Sequence, residues 1–506
     1  MIEYDVVVIG SGTGGYVAAI RAAQLGLKTA VVEKEKALGG TCLLLGCIPT
    51  KALLEHAHAL KIAQHAKEWG ITGVSSPSID IGQVHARKDR IVSGLSKGVE
   101  FLFRKNKIDW IKGTARLEAR GGGAGGAAAV EVEVHGVQGE KRALRPRKGI
   151  IVATGSAPRS IPGVEIDRRR IVTSDQAIHL AEIPKSLVVL GAGAVGVEFA
   201  SIFRRFGSDV TIIELLPRLV PQEDEAISAE LEKSFRKQGI TVHTGARVTA
   251  AKVVVGGASS GSEAGASVER ERAGSASVEG ERVEVAVQLA DGQAKTIHAD
   301  YLLVATGRGP MTTGLNANGV GLQMEKGYIR VDPQYRTNVP GISAVGDVIT
   351  LGAPGHPQLA HLSSAEGIRA AERIAGREAP PINYDHVPAC TYCDPEIGSV
   401  GLTEREAKER GYDVRVGMFP FGVLARAKIS GETEGFVKIV ADRKYDEVLG
   451  VHMIGSRSTE LVAEATVALQ LESTVEELIR TIHAHPTMAE AVGEAAHAAH
   501  GAAINL

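Results

Sequence analysis

Only four of the 506 residues are cysteine. Long apolar runs are missing as well. None approaches the ~18 residues that a bilayer-spanning helix needs, so no membrane segment is expected. An excess of either charge is missing too, with 57 Lys plus Arg against 59 Asp plus Glu. Wholesale nucleic-acid binding is therefore not expected. The strand-like stretch EYDVVVIG begins almost at once and leaves no room for a signal or transit peptide. The expected compartment is the cytoplasm. That compartment is reducing, so two cysteines close together read as redox-active or metal-binding rather than as a structural disulfide. What is present, 44% apolar and 23% charged residues, is the profile of a globular protein. The length suggests roughly three or four domains.

The chain repeats itself once on a large scale. YDVVVIG, 4–10, reads as a buried strand, followed by a helical stretch and by the strand TAVVEK. SLVVLG, 186–191, opens the same strand, helix, strand order, closed by DVTIIE. A second echo is GIIVATGS, ending at Ser156, against YLLVATGR, ending at Arg308. Each half carries G-x-G-x-x-G, as Gly10, Gly12 and Gly15, and as Gly191, Gly193 and Gly196. In such a loop the first glycine permits a tight turn and the second lets the backbone approach a pyrophosphate. The third lets helix and strand pack closely, with the helix N-terminus facing the phosphates. Alone the motif is weak. Here each copy follows a strand, opens a helix, and has an acid 23 residues after its first glycine, Glu33 and Glu214. Either acid can accept hydrogen bonds from a ribose 2′-hydroxyl. Glu214 favours NAD over NADP, because a carboxylate repels a 2′-phosphate, although Arg218 stands close behind.

Two stretches break the pattern. ARGGGAGGAAA starts at Ala119, and a Gly/Ser/Ala/Glu-rich stretch runs from 256 to 282. Neither composition can bury a core, so flexible inserts are expected over about 119–147 and 256–282.

The remaining puzzle is GGTCLLLGCIPTK, 39–51, which places Cys42 and Cys47 five positions apart. A zinc site with Cys390 and Cys393 is one reading, but structural zinc sites favour tight knuckles at both ends. CTYC lies in a strand-like run, where residues three apart face opposite sides. Buried inert thiols are the simpler account of that second pair. The alternative for Cys42 and Cys47 is a redox pair. Helical periodicity follows them, and a helix N-terminus with Lys51 nearby would stabilise a thiolate. Cysteine has no hydride chemistry, so exchange with NAD needs a flavin between them.

GGTCLLLGCIPTK resembles the redox-disulfide signature of the class I pyridine nucleotide–disulfide oxidoreductases, and residues 1–34 are most similar to their dihydrolipoamide dehydrogenase branch. TNVPGISAVGDV, 337–348, resembles the second flavin motif, PEIGSVGLTE, 395–404, the start of the interface domain, and HAHPTMAEA, 483–491, the C-terminal catalytic motif. The chain departs from the pattern at Leu44 and Leu45, where the family usually has Asn-Val, and mildly at Thr50. Taken alone, His485 could be a surface histidine, with Pro486 at a first helical position. The motif match reverses that reading.

The resemblance implies an α/β fold with two tandem Rossmann-like domains, a central domain and a C-terminal α+β interface domain. The boundaries expected are 1–155 for FAD, 156–308 for NAD, 309–380 for a central domain completing the FAD site, and 381–506 for the interface. It implies one tightly bound FAD per subunit and NAD as second substrate, with no metal. Catalysis would rest on Cys42 as interchange sulfur, Cys47 nearer the flavin, and His485 as base oriented by Glu490. Cofactor contacts would come from Gly10, Gly12, Gly15, Glu33, Lys51 paired with Glu198, Ala115, Thr154, Gly155, Asp347 and Ala360. For NAD they would come from Gly191, Gly193, Gly196, Glu214, Val248 and Gly307. The implied partners are a second copy of the chain, lipoyl domains and the acyltransferase core of 2-oxo-acid dehydrogenase complexes. A glutathione- or mycothione-type reductase and a non-catalytic subunit with the same fold are the alternatives.

Overall fold

The computed structural model describes residues 2–119, 130–136, 139–255, 280–352 and 356–506. They form two compact units, each assembled from separate stretches of chain.

The first unit comprises 1–52, 85–158 and 308–384. Its sheet runs in the spatial order Asp109–Lys112, Thr29–Glu33, Ile2–Ile9, Lys141–Val152, Val130–His135, Thr114–Ala119, with Ile342–Ala344 also pairing Lys141–Val152. The strands around Ile2–Ile9 are parallel, and the last two pairings are antiparallel. Val6, Val7 and Val8 are all fully buried. Consecutive rather than alternating burial is what a parallel strand covered on both faces requires. The helices Thr13–Gln24 and Ala360–Ile374 cross at glycines. A Cβ on Gly367 would lie 2.4 Å from the Gly14 carbonyl oxygen, so only bare backbone fits there.

One expectation needs correction here. Residues 130–135 and 141–146, expected within a flexible insert, are paired strand. Their alternating Val residues bury Val132 and Val134 on the core side. Only 120–129 and 137–138 of that insert, and 256–279 of the other, lie outside the described residues.

The second unit comprises 53–84, 159–307 and 385–506. It holds a five-stranded parallel sheet, in the order Thr241–His243, Asp209–Ile213, Ser186–Leu190, Tyr301–Val304, Ile171–Val172. A three-stranded antiparallel sheet, Arg247–Val255, Glu281–Gln288 and Ala294–Ala299, adjoins it in sequence. The C-terminal region is a five-stranded antiparallel sheet in the order Ala389–Thr391, Ile397–Gly401, Val448–Gly455, Gly435–Asp442, Val414–Pro420. Helices Ser458–Gln470 and Glu490–Ala499 share its apolar core. Among the described residues no helix is long and apolar enough to cross a membrane.

Candidate active site

In the first unit the strand Ile2–Ile9 ends at Gly10, whose φ is +98°. A Cβ there would lie 2.4 Å from the Ala153 carbonyl oxygen, and one on Gly15 would lie 2.0 Å from the Gly10 carbonyl oxygen. The turn is thus closed by backbone against backbone. Gly12 differs, because a Cβ on it would meet nothing within 4 Å. Its bare face borders open space at the N-terminus of helix Thr13–Gln24, where backbone N–H groups and the helix dipole favour an anion. Glu33, only 6% exposed, closes the loop from the next strand. Its Oε2 accepts from the Ser11 N–H at 2.8 Å and the Ser11 hydroxyl at 2.7 Å, and its Oε1 accepts from the Glu35 N–H at 2.9 Å.

Other expected flavin residues fall in the same unit. Asp347 lies in the single turn Gly346–Val348, and its Oδ2 accepts from the Ser156 hydroxyl at 2.6 Å. Arg308 in turn donates to that hydroxyl oxygen and to the Ser156 carbonyl, both at 2.7 Å. The Thr154 hydroxyl is buried without a hydrogen-bond partner, and a Cβ on Gly155 would meet open space. Ala115 is buried on strand Thr114–Ala119, and Ala360 is the first residue of helix Ala360–Ile374.

The glycine pair before the cysteines has a structural reason. The Gly39 N–H donates to the Ser11 carbonyl at 3.2 Å, and a Cβ on Gly40 would lie 2.5 Å from the Gly12 Cα. Residues 39–40 therefore lie flat on the glycine loop and carry the cysteines beside it. Cys42 sits in the short helix Gly40–Leu44, and Cys47 is the first residue of helix Cys47–Gln64. The two are not joined by a disulfide in this structure. A hydrogen bond with Cys47, then burial, push the Cys42 thiol well above the usual range, while the Lys51 charge pulls the other way. Two neighbouring thiols cannot both ionise readily, so a charge on one opposes a charge on the other. Leu44, at an unusual position for the family, packs on the apolar core. Tyr16 adjoins the pair, its hydroxyl raised by burial and then by the Cys42 charge.

The second unit repeats the loop. Gly191 has φ +99°, and a Cβ on Gly196 would lie 2.0 Å from the Gly191 carbonyl oxygen. Gly193 again faces open space, as does Gly307. Glu214, 8% exposed, accepts from the Ala192 N–H at 2.6 Å and the Leu216 N–H at 2.8 Å. Arg218 is engaged elsewhere, donating to Glu225 at 3.0 Å and to the Pro221 carbonyl at 2.9 Å. Val248 is buried on strand Arg247–Val255. Buried Glu198 accepts from the Tyr392 N–H at 2.9 Å. His243 has a buried Nε2 without a partner, and burial followed by the Lys295 and Arg236 charges lowers its basicity.

At the C-terminal end of the same unit, His485 Nδ1 lies 2.8 Å from Glu490 Oε1, and Glu490 Oε2 accepts from the Thr487 N–H at 2.8 Å. Burial alone would raise the Glu490 carboxyl. The His485 side chain and the Thr487 N–H outweigh it and hold the group below the ordinary glutamate range. His485 is 71% exposed, a ring held on one side and open on the other. Pro486 does not start the helix, which begins at Glu490, because Thr487 caps back onto Ala484 first. The Cys390 and Cys393 expectation also needs adjustment. The strand ends at Thr391, so Cys393 lies beyond it, buried, with its thiol 3.1 Å from the Pro395 carbonyl. Among the described residues no group of three or more His, Cys, Asp or Glu is placed to hold a metal.

The pyridine nucleotide-disulphide oxidoreductase domain matches residues 4–367, and the dimerisation domain of the same family matches 387–496. The chain belongs to this family. It is 43% identical to dihydrolipoyl dehydrogenase 3 of Pseudomonas putida, over all of both chains. It is 43% identical to dihydrolipoyl dehydrogenase of Bacillus subtilis, over 100% of this chain and 99% of that one. It is 42% identical to leghemoglobin reductase of Glycine max, over 98% and 87%. The crystal structure of LpdA from Mycobacterium tuberculosis superposes with a TM-score of 0.83 at 27% identity, covering 98% of this chain and 99% of that one.

As an oxidoreductase of this family the chain uses FAD and NAD. Its residues fit the first of these on grounds of their own. The open faces at Gly12 and Gly155 and the unpartnered Thr154 hydroxyl give room and a hydrogen-bonding group for a polar ligand. Sequence reasoning missed Ser156, Arg308 and Tyr16 as members of the site. Ser156 and Arg308 each directly follow an ATG triplet, and Tyr16 directly follows Gly15 of the first glycine loop; those positions were the available signal.

Proposed function

We propose that the protein oxidises a dihydrolipoyl dithiol to the cyclic lipoyl disulfide and reduces NAD⁺, through a redox pair formed by Cys42 and Cys47. The observation that carries this is the hydrogen-bonded thiol pair on a turn laid against the first glycine loop. The full-length similarity to dihydrolipoyl dehydrogenases supports it.

In the oxidised enzyme the two cysteines form a disulfide. His485, oriented by Glu490, takes the proton from one substrate thiol. The thiolate attacks the Cys42 sulfur, the Cys42–Cys47 bond breaks, and Cys47 leaves as a thiolate. The second substrate thiol then attacks its partner sulfur in the mixed disulfide as its proton passes to the departing Cys42 sulfur. The lipoyl ring closes and Cys42 is expelled, so the substrate loses two electrons and the cysteine pair gains them. Cys47 is suited to hold the negative charge, being the first residue of helix Cys47–Gln64 with Lys51 one turn along. FAD, when bound, relays two electrons between a dithiol and a hydride acceptor. Gly10, Gly12, Gly15, Glu33, Thr154, Gly155 and Asp347 would hold it, with Lys51, Ala115 and Ala360 beside it. Glu214, with Val248, Gly307 and the second glycine loop, would bind NAD and disfavour a 2′-phosphate.

The domain division 1–155, 156–308, 309–380 and 381–506 belongs to the same reading, as does a cytoplasmic enzyme serving 2-oxo-acid dehydrogenase complexes. The dimerisation domain supports a homodimer. We take the site to be shared, with Cys42 and Cys47 of one subunit facing His485 and Glu490 of the other. Mixing Cys42→Ser and His485→Ala homodimers tests this. With random subunit exchange about half the dimers are mixed and each has one intact site, so activity returns to roughly a quarter of wild type. No recovery after demonstrated exchange rules out the shared site. Faster turnover of glutathione disulfide than of lipoamide would overturn the substrate assignment.

A further inference from the structure

Asp347 is held by its side chain through Ser156, but its backbone has a second support that no motif announces. Glu366 is fully buried in helix Ala360–Ile374. Its Oε2 accepts from the Gly346 N–H at 2.7 Å, the residue directly before Asp347. Its Oε1 lies 2.7 Å from His356 Nε2 and accepts from the Tyr384 hydroxyl at 2.9 Å. Three donor groups thus converge on two carboxylate oxygens, which is how a buried carboxylate becomes tolerable. Tyr384 is held in turn, with its hydroxyl 3.3 Å from that of Tyr335 and its ring edge-on to His356. Burial, then the Glu366 charge, push the Tyr384 hydroxyl well above the phenol range, so it keeps its proton to donate.

The placement has a mechanical consequence. Glu366 directly precedes Gly367, where the helix presses on the Gly14 carbonyl of the glycine-loop helix. One side chain therefore ties the Gly346–Val348 turn to the element that fixes the glycine loop. Gly346 itself has φ +75°, a conformation glycine adopts without strain, so the turn owes its position to contacts such as the one to Glu366.

We propose that Glu366 is a positioning residue of the flavin site, fixing the Gly346–Asp347 turn through the Gly346 N–H, and that His356 and Tyr384 hold Glu366 in place. This rests on the reading of Asp347 as a flavin contact. The experiment compares flavin release from the holoenzyme, followed by flavin fluorescence, and FAD affinity on reconstitution, with NAD⁺ affinity measured in parallel. Glu366→Gln keeps the shape but turns one acceptor into a donor, so FAD affinity should fall about tenfold, with NAD⁺ affinity unchanged. Tyr384→Phe, losing one of three donors, should lower it roughly two- to threefold. Glu366→Ala strands the Gly346 N–H and is expected to be worse or not to fold; the other two variants keep the inference open to refutation. Asp347→Asn is the control. If Asp347→Asn weakens FAD while Glu366→Gln stays within about twofold of wild type, the inference fails. It fails too if Glu366→Gln weakens FAD and NAD⁺ equally, which marks general loosening. If Asp347→Asn leaves FAD binding untouched, the reading of Asp347 falls and takes the inference with it.

Discussion

The two glycine loops are nearly the same object locally. Their first glycines have φ +98° and +99°, and a Cβ on either third glycine would lie 2.0 Å from the first glycine's carbonyl oxygen. Each acid accepts from the N–H that follows the first glycine and from the N–H two residues after itself. The difference lies in what surrounds them. The first loop reads GSGTGG and the second GAGAVG, so Gly14 corresponds to Val195. Gly14 is buried under helix Ala360–Ile374, where a Cβ would meet the Ser363 carbonyl oxygen at 3.2 Å, whereas Val195 is 38% exposed. Thr154, in the first ATG, keeps an unpartnered hydroxyl, whereas Thr306, in the second, donates to the Arg159 carbonyl at 2.8 Å. One loop is covered by a helix and has the cysteine pair beside it, and the other is left more exposed. That suits a cofactor that stays in place and a nucleotide that comes and goes.

The strongest way to separate the halves is chemical. Cys42→Ser should cut dihydrolipoamide oxidation by on the order of a thousandfold or more, while NAD⁺ binding measured by calorimetry remains. Retained activity would remove the thiol pair from the mechanism. The glycines come next. Gly15→Ala and Gly196→Ala introduce the same 2.0 Å clash. The first should yield protein depleted of flavin. The second should keep its flavin absorbance but raise KM for NAD⁺ at least about tenfold. Identical cofactor losses in both would erase the distinction.

A smaller effect should come from the residue that differs between the loops. Gly14→Val forces a side chain between two packed helices and should cost about 1–3 kcal/mol in denaturant unfolding. Val195→Gly, at an exposed position in the first turn of its helix, should cost about 1 kcal/mol or less. Smaller still is a change of preference. With Arg218 committed to Glu225 and Pro221, Glu214→Arg should shift the NADP-to-NAD ratio of kcat/KM upward by about tenfold. A wild-type preference for NADP would refute the acidic assignment.

The glycine loops, their acids and the parallel strands were legible because their signals are local. A run such as VVVIG and a fixed spacing encode strand, turn and helix before any long-range contact forms. The insert over 119–147 was misread for the same reason. Its glycine-rich start dominated the composition, while VEVEVH, 130–135, carries the alternation of a strand. CTYC was misread through its period, because the strand stops at Thr391.

By itself, then, the sequence determined the duplicated nucleotide-binding plan, the cysteine pair ahead of a helix and the acid that closes each glycine loop. Tertiary structure alone decided why two glycines precede Cys42, since Gly40 must pass against Gly12. It alone decided which groups hold Asp347: Ser156, 191 residues away, and, through Gly346, Glu366. A hydrogen bond depends on which donor folding brings within about 3 Å of an acceptor, and neither periodicity nor spacing along the chain records that distance.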